Sequence, residues 1–439
     1  MSQGQNLPEL HFKERISRCV EKLQGSSMLL FAQPESYRNS TVDNVYRQDA
    51  NFYYLTGLHE PHAALGIFSH REKGKQTILF VRDKNFQEEI WTGSRLGIEG
   101  AKNKIPVDDV KPFDSLWQEF PSCLTGSKSL YFDLGYDRTR DDKVIAMLNV
   151  QKKSAGRKQN GRLAIFDPNI ICGSLRLRKS PEEIMRMRES ARISAETYSE
   201  VFKAVRPGMS ERTIHGLLMG GFMSRGAEME AYGSIVASGA NACVLHYRDN
   251  NQKLNDGDLL LIDAGAQVDL YASDITRTFP VGRKFSAEQK AVYEIVLNAQ
   301  KTAISLARPK YDLVQLHDRA VEILVDGMID LKLLNNSKQE ILEKQLFKKF
   351  YPHGTSHWLG LDVHDQGEYY TDDKPTPLEK GCVFTVEPGI YIDPSYHDVD
   401  QRWRGIGVRI EDDILITDSG YDVLTKATPK EIADFENRF

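Results

Sequence analysis

Four carboxylates and one imidazole occupy segments of the chain whose apolar character ought to exclude them. The stretch "LLLIDAGAQVDLYASDITRTF", Leu259 to Phe279, reads as two strand-like runs, one interrupted by Asp263 and the other by Asp274. Aspartate is disfavoured in strands, and a buried carboxylate without a partner is costly. Glu387 closes the β-rich run in "CVFTVEPGIYI", Glu411 interrupts the alternating "GVRIEDDILIT", and His357 falls in "YPHGTSHWLGLDVHD". One buried acid is ordinarily half of an ion pair. Four acids and a histidine, each in its own apolar segment, point instead to a shared site. Such a set formally carries four negative charges, which suits two divalent cations. Oxygen-dominated ligation favours Mn²⁺, with Fe²⁺ or Co²⁺ as alternatives, over a thiolate-type zinc site. Two metals roughly 3.5–4 Å apart can share a hydroxide, hold a carbonyl oxygen and stabilise a tetrahedral intermediate. "GAQVD" between the two runs can make the turn of a hairpin that brings Asp263 and Asp274 to one point; the competing explanation is a pair of solvated turn acids. Asp269 fits that description, whereas Leu259 to Ile262 run into Asp263 without a polar break.

Other groups fall close to these in sequence. His353 and His357 are four apart, a spacing that suits a helical metal pair, but Pro352 and Gly354 argue against a helix there. His364 follows in "LDVHDQG", and His246 sits in "CVLHYRD". Any one of these is more often structural. Their company with glycine-rich turns predicts a role around a substrate. Arg409 stands two residues before Glu411, so on a single strand the two share a face. There Arg409 would orient the carboxylate, a surface ion pair being the alternative. Tyr391, four residues past Glu387, carries little meaning by itself.

The elements that must position these groups fall into two regions. Residues 1–178 alternate short β-rich runs with polar helical segments, the expected strands being "SMLLFA", "NFYYLTGL", "AALGIF", "QTILFVRD", "LYFDL" and "LAIFD". "KKSAGRKQNGR", Lys152 to Arg162, reads as a solvated basic loop. A boundary at "CGSLRLRKSPEE" opens a second region, 179–439. There Ser180, Pro181 and Glu183 form a capping-box helix start, and the helix is predicted to stop near Val205, before "RPG". Ser286 and Gln289 repeat the signature in "SAEQKAVYEIVLNAQKTAISLA", which stops at "RPK". A second helical stretch follows each stop, "SERTIHGLLMGGF" and then "DLVQLHDRAVEIL". Helix, Arg-Pro, helix and strands thus occur twice. This predicts two α+β halves about a pseudo-twofold axis, against the alternative of a chance likeness between amphipathic helix pairs.

Composition narrows the function classes. The 439 residues are 40% hydrophobic and 27% charged, unlike a disordered chain, and no apolar run approaches the ~20 residues of a membrane span. Net charge is −5 and no basic stripe occurs, so no nucleic-acid partner is expected. Five scattered cysteines without a C-x-x-C pair read as reduced thiols. "MSQGQNLPELHFKERISRC" lacks the apolar core of a signal peptide. The expected location is cytoplasmic.

Together "LLLIDAG", "ASDITRTFPV", "HGTSHWLGLDVHD", "TVEPGIYI" and "GVRIEDD" resemble the pita-bread metallopeptidases, most nearly aminopeptidase P, with prolidase the near relative. "YRQDANFYYLTGLHEP" and "EEIWTGSRLG" carry the likeness into the first region. The resemblance implies an α+β chain, with a C-terminal pita-bread fold containing a pseudo-twofold repeat and a smaller mixed α/β N-terminal domain. It implies removal of an N-terminal residue from peptides with proline second, through a metal-bridging hydroxide. By the same likeness Asp263 and Asp274 bind one metal, while Asp274, His357, Glu387 and Glu411 bind the other. Glu387 handles the proton of the water, His364 meets the substrate carbonyl, and His246 and His353 line the pocket. Tyr391 and Arg409 support these groups, and Trp91 reaches a neighbouring subunit's site, which implies a homo-oligomer, a dimer or tetramer. The implied cofactor is two Mn²⁺ per subunit, with Co²⁺, Fe²⁺ or Zn²⁺ as alternatives.

Two positions depart from the pattern. Lys374 stands where the family often has an arginine near the pocket mouth, and Asp43 is an imperfect match to the acid that meets the substrate amine. Prolidase, which cuts dipeptides, is the alternative activity. The spacer from Gly367 to Glu387 contains no arginine for a dipeptide carboxylate and so favours aminopeptidase P. A peptide-binding module that has lost catalysis would be expected to lack the ligands present here.

Overall fold

The computed structural model describes residues 7–155, 163–282 and 284–437. The chain divides into two compact units, Glu9–Arg176 and one that begins at Leu177, to which Leu7 and Pro8 also belong.

Among the described residues, the first unit is built on a six-stranded mixed sheet. Its order is Asp109–Pro112, Thr77–Val81, Ala64–Phe68, Ser27–Phe31, Ser129–Tyr131, Ala164–Phe166. Ser27–Phe31 runs antiparallel to Ala64–Phe68 and parallel to Ser129–Tyr131. One predicted strand is mostly a helix instead: the first six residues of "NFYYLTGL", Asn51 to Thr56, lie in Ala50–Thr56. Asp49 caps it by accepting from the Phe52 N–H, and Gly57 ends it at φ 64°, left-handed geometry that glycine adopts without strain. Aromatic, β-prone composition is overridden here by the two caps and by burial of every residue in the helix. The start of the predicted basic loop is helical instead. Lys152 and Lys153 are in the last turn of the helix Arg138–Ala155, and 156–162 lie outside the described residues.

In the second unit the two predicted capping boxes are formed. Ser180 and Glu183 exchange hydrogen bonds at the head of Pro181–Ala204, and Ser286 and Gln289 do so at the head of Ala287–Leu306. Each helix is followed by a second, Glu211–Ser224 and Leu313–Asp330, and each pair by antiparallel strands. After the first pair, Leu259–Asp263 lies between Ile235–Ser238 and Thr276–Pro280. After the second, Val383–Val386 pairs with Asp412–Ile416, and Gly389–Ile392 with Ile406–Arg409. The apolar faces of both helix pairs and both strand sets merge into one core, including Phe202, Phe279, Val296, Leu324, Phe384 and Ile414.

The two halves are joined at the strand ends. Arg277 is fully buried, and all five of its N–H donors find acceptors: Nε on Pro429 O, Nη1 on Thr276 O and Glu411 O, and Nη2 on Asp412 Oδ1 and Thr428 O. The Glu411 N–H also donates to Thr276 O, at 3.1 Å. The ends of the first half's strands are thereby fastened to those of the second.

Candidate metal centre

Asp263 is the last residue of Leu259–Asp263 and pairs in register with Thr276. Asp274 is not in a strand but two residues before Thr276–Pro280, after a separate small hairpin of Ala266–Val268 and Tyr271–Ala272. That hairpin turns at Asp269 and Leu270, both at positive φ. Asp269 is a turn residue, as expected, but it is ion-paired to Arg186 Nε at 2.7 Å rather than merely solvated. Gly265 is required in this corner, because a Cβ there would lie 1.7 Å from the Ser273 carbonyl oxygen.

Glu387 follows the Val383–Val386 strand, and its N–H donates to Thr355 O at 2.8 Å. Arg409 and Glu411 do not share a strand, contrary to expectation: one sheet ends at Arg409 and the next begins at Asp412. The connection between them runs through Thr276, whose hydroxyl donates to Glu411 Oε2 at 2.6 Å and accepts from Arg409 Nε at 3.1 Å. Arg409 Nη2 goes to a different acid, Asp263 Oδ2, at 2.6 Å.

Asp263, Asp274, His357, Glu387 and Glu411 line a single cavity of about 370 Å³, together with His246, His353, His364 and Arg409. One ligand atom from each of Asp274, His357 and Glu411 lies within 4.8 Å of the others. His353 and His357 are not on a helix; the segment from Pro352 to His357 is extended and turning. Trp91 belongs to the other unit, on the helix Phe86–Thr92, and is 86% exposed. Lys374 and Asp43 are exposed on short hairpin strands.

Hydrogen bonding fixes the state of two histidines. His357 Nδ1 is 3.0 Å from Trp358 O, which can only accept, so Nδ1 carries the proton. Nε2 then faces Asp274 Oδ2 and Glu387 Oε1, each at 3.5 Å, where its lone pair would be open to a cation in the neutral ring. His353 Nδ1 donates to Gly354 O at 2.8 Å, its Nε2 accepts from the Tyr391 hydroxyl at 2.8 Å, and that oxygen accepts from Arg409 Nη1 at 3.0 Å. Burial, reinforced by Arg409, pushes the pKa of His353 down to about 3, so this chain runs through a neutral ring. Burial and then His357 also lower that of His364, whose ring stands edge-on to His357 at 4.5 Å between centroids.

The acids cannot all be ionised unaided. Burial, then Asp263, raises Asp274 well above the carboxylate range; burial, then Asp274, does the same for Glu411. Glu387 is pushed up to about 8 by burial and then by Glu411. Tyr232, which sequence reasoning missed, sets its hydroxyl between Asp263 Oδ1, at 2.6 Å, and Asp274 Oδ1. A phenol has one proton, so it cannot satisfy two carboxylates at once. The donor set therefore fits divalent cations: hard oxygens, one imidazole nitrogen, and negative charge in excess of the protein's own cations.

A model of metallopeptidase family M24 matches residues 185–418, and one of the aminopeptidase P N-terminal domain matches residues 12–131. The Xaa-Pro aminopeptidase of Haemophilus influenzae is 41% identical over 98% of this chain and 97% of its own length. The chain belongs to the aminopeptidase P branch of family M24. Aminopeptidase PepP of Pseudomonas aeruginosa superposes with a TM-score of 0.90 at 40% identity, covering 97% of each chain. Zinc-substituted Escherichia coli aminopeptidase P in complex with product gives 0.91 at 38% identity, again with 97% of each chain covered. This aminopeptidase is thus a metal-dependent hydrolase of Xaa-Pro peptides with the pita-bread fold, and the prolidase alternative is disfavoured. No helix among its described residues is long and apolar enough to cross a membrane.

Proposed function

We propose that this aminopeptidase binds two Mn²⁺, with Co²⁺, Fe²⁺ or Zn²⁺ as substitutes. Asp263 and Asp274 hold one, and Asp274, His357, Glu387 and Glu411 the other. The observation that carries this reading is the convergence of ligand atoms from Asp274, His357 and Glu411 within 4.8 Å, beside Asp263 and Glu387 in one cavity. When bound, the cations supply Lewis-acid polarisation of the scissile carbonyl and acidify the attacking water.

The chain's own residues do the rest. Glu387 takes the proton of the water at its carboxylate and returns it to the proline nitrogen as the bond breaks. His364 stays neutral near pH 7, because burial and His357 lower its pKa, and donates an N–H to the developing oxyanion. His246 and His353 flank the scissile bond, with His353 held in one tautomer by Gly354 and Tyr391. An Xaa-Pro bond has no N–H. Peptidases that grip that N–H lose their handle, whereas a cavity lined by ring-shaped side chains does not need it.

Phe86, Ile90 and Trp91 are exposed on one short helix, which supports a homo-oligomer, dimer or tetramer, with Trp91 at a neighbour's site. The five free thiols, four of them buried, support a cytoplasmic enzyme. The test is a peptide panel varied in length and second residue, with metal analysis of the same sample. Release of the first residue from Arg-Pro-Pro peptides, lost on chelation and restored by Mn²⁺, is the expected result. Cleavage of Gly-Pro alone, or full activity without transition metal, would overturn the reading.

A further inference from the structure

Two arginines line the cavity, and they differ in what they hold. Arg409 is buried and engaged by Asp263, Thr276 and Tyr391. Arg248 is exposed and donates from Nη1 to Gly233 O; its guanidinium makes no other hydrogen bond and no ion pair among the described residues. Most of a five-donor, permanently charged fork therefore has no acceptor from the protein.

The backbone that carries Arg248 is tied down on both sides. Tyr247 is buried and donates to Glu211 Oε2 at 2.9 Å. Asn250, buried at φ 43°, accepts from the Val236 N–H at 2.9 Å and donates to Ser234 O at 2.8 Å. Glu211 is fully buried and also receives the Ser238 and Gln252 N–H groups. Arg248 is thus a cation on a fixed strap, two residues past His246, at the wall of the cavity where the peptide is cut. Fixing the strap in advance lowers the ordering cost of binding a ligand there.

We propose that Arg248 is a specificity-determining residue that binds a carboxylate of the substrate, so that the enzyme favours Xaa-Pro peptides with an acidic side chain near the scissile bond. This rests on the aminopeptidase reading above. The carboxylate comes either from the first residue or from the residue after proline, and the test separates the two. Kinetics are measured with Mn²⁺-loaded enzyme on amidated peptides: Glu-Pro-Ala against Gln-Pro-Ala, and Ala-Pro-Glu against Ala-Pro-Gln. Each pair differs in charge and scarcely in shape, so a general loss of activity cancels in the kcat/KM ratio.

In Arg248→Ala, one of the two Glu/Gln ratios is expected to fall about three- to tenfold, the worth of a partly solvated, hydrogen-bonded ion pair. The affected pair identifies the position bound. Arg248→Lys should recover part of the ratio, and added salt should depress it in the wild type. Cleavage with both ratios unchanged in Arg248→Ala overturns the inference alone. Failure of wild-type enzyme to cleave any of the four peptides overturns the aminopeptidase reading, and the inference with it.

Discussion

Arg277 and Asp412 lie 2.7 Å apart with both side chains wholly buried, and they join the strand that follows Asp274 to the strand that follows Glu411. The distance between those two acids, one from each half of the repeat, depends on this pair. Removing one partner leaves an uncompensated buried charge, so Arg277→Met or Asp412→Leu should destabilise the enzyme by about 3–5 kcal/mol. The double variant should be markedly less destabilised than the sum of the single ones, as read by urea denaturation. Simple additivity would show the pair to be uncoupled.

The same pair fixes an acid limb of stability. Burial works to raise the pKa of Asp412, but Arg277 and Lys430 outweigh it and hold it at about 2. A carboxyl depressed on folding contributes stability above its ordinary value and loses it as pH falls through the folded value. Melting temperature should therefore drop as pH falls from about 4 towards 2, and Asp412→Asn should flatten that limb. An equally steep limb in the variant would assign it to other acids.

The metal-site acids predict the opposite slope. Glu387, pushed up to about 8 by burial and then by Glu411, binds its proton more tightly folded than unfolded. Its contribution is complete below the ordinary glutamate range and is lost as pH rises towards the folded value. Chelated enzyme should therefore lose melting temperature from about pH 5 to about pH 8, and Mn²⁺ should remove most of that loss. Chelated enzyme that gains stability across this window would contradict the electrostatic picture.

Tyr232 should matter to metal retention before it matters to substrate. Its hydroxyl lies within hydrogen-bonding distance of both Asp263 and Asp274, so Tyr232→Phe leaves the pair less well oriented. Loss of such a supporting contact weakens metal affinity about 10- to 100-fold. Metal titration should show that weakening, with KM for a good peptide little changed once metal is saturating. An unchanged metal affinity would place the tyrosine outside this role.

Behind His364, Lys179 Nζ and Asp365 Oδ2 are 3.0 Å apart, each side chain 1% exposed. Asp365 is the next residue after His364, and a Cβ on Gly360 would collide with it at 2.2 Å. Lys179→Met should remove the cation from a buried carboxylate, destabilise the fold by about 3–5 kcal/mol and lower kcat more than it changes KM. A variant of native kcat would show that His364 is placed without this pair.

The acids and His357 were legible in the sequence because a charge inside an apolar run is an anomaly that needs a reason. The long helices were legible through Ser180–Glu183 and Ser286–Gln289, where two side chains state one helix start. Tyr232 was not, because a tyrosine is unremarkable in composition and its two acids lie 31 and 42 residues away. Thr276 left a faint signal in the alternation of "TRTF", where Thr276 and Thr278 share a face and both contact Arg409. "NFYYLTGL" misled because side-chain type outweighed the punctuation: of the two helix caps, Asp49 lies just before the run that suggested a strand and Gly57 within it.

The most direct measurement is the anomalous difference map of a crystal grown with Mn²⁺ and recorded above the manganese edge. Two peaks are predicted, one between Asp263 and Asp274 and one among Asp274, His357, Glu387 and Glu411. A map without density at these side chains, from a protein that still cleaves Xaa-Pro peptides, would contradict the account.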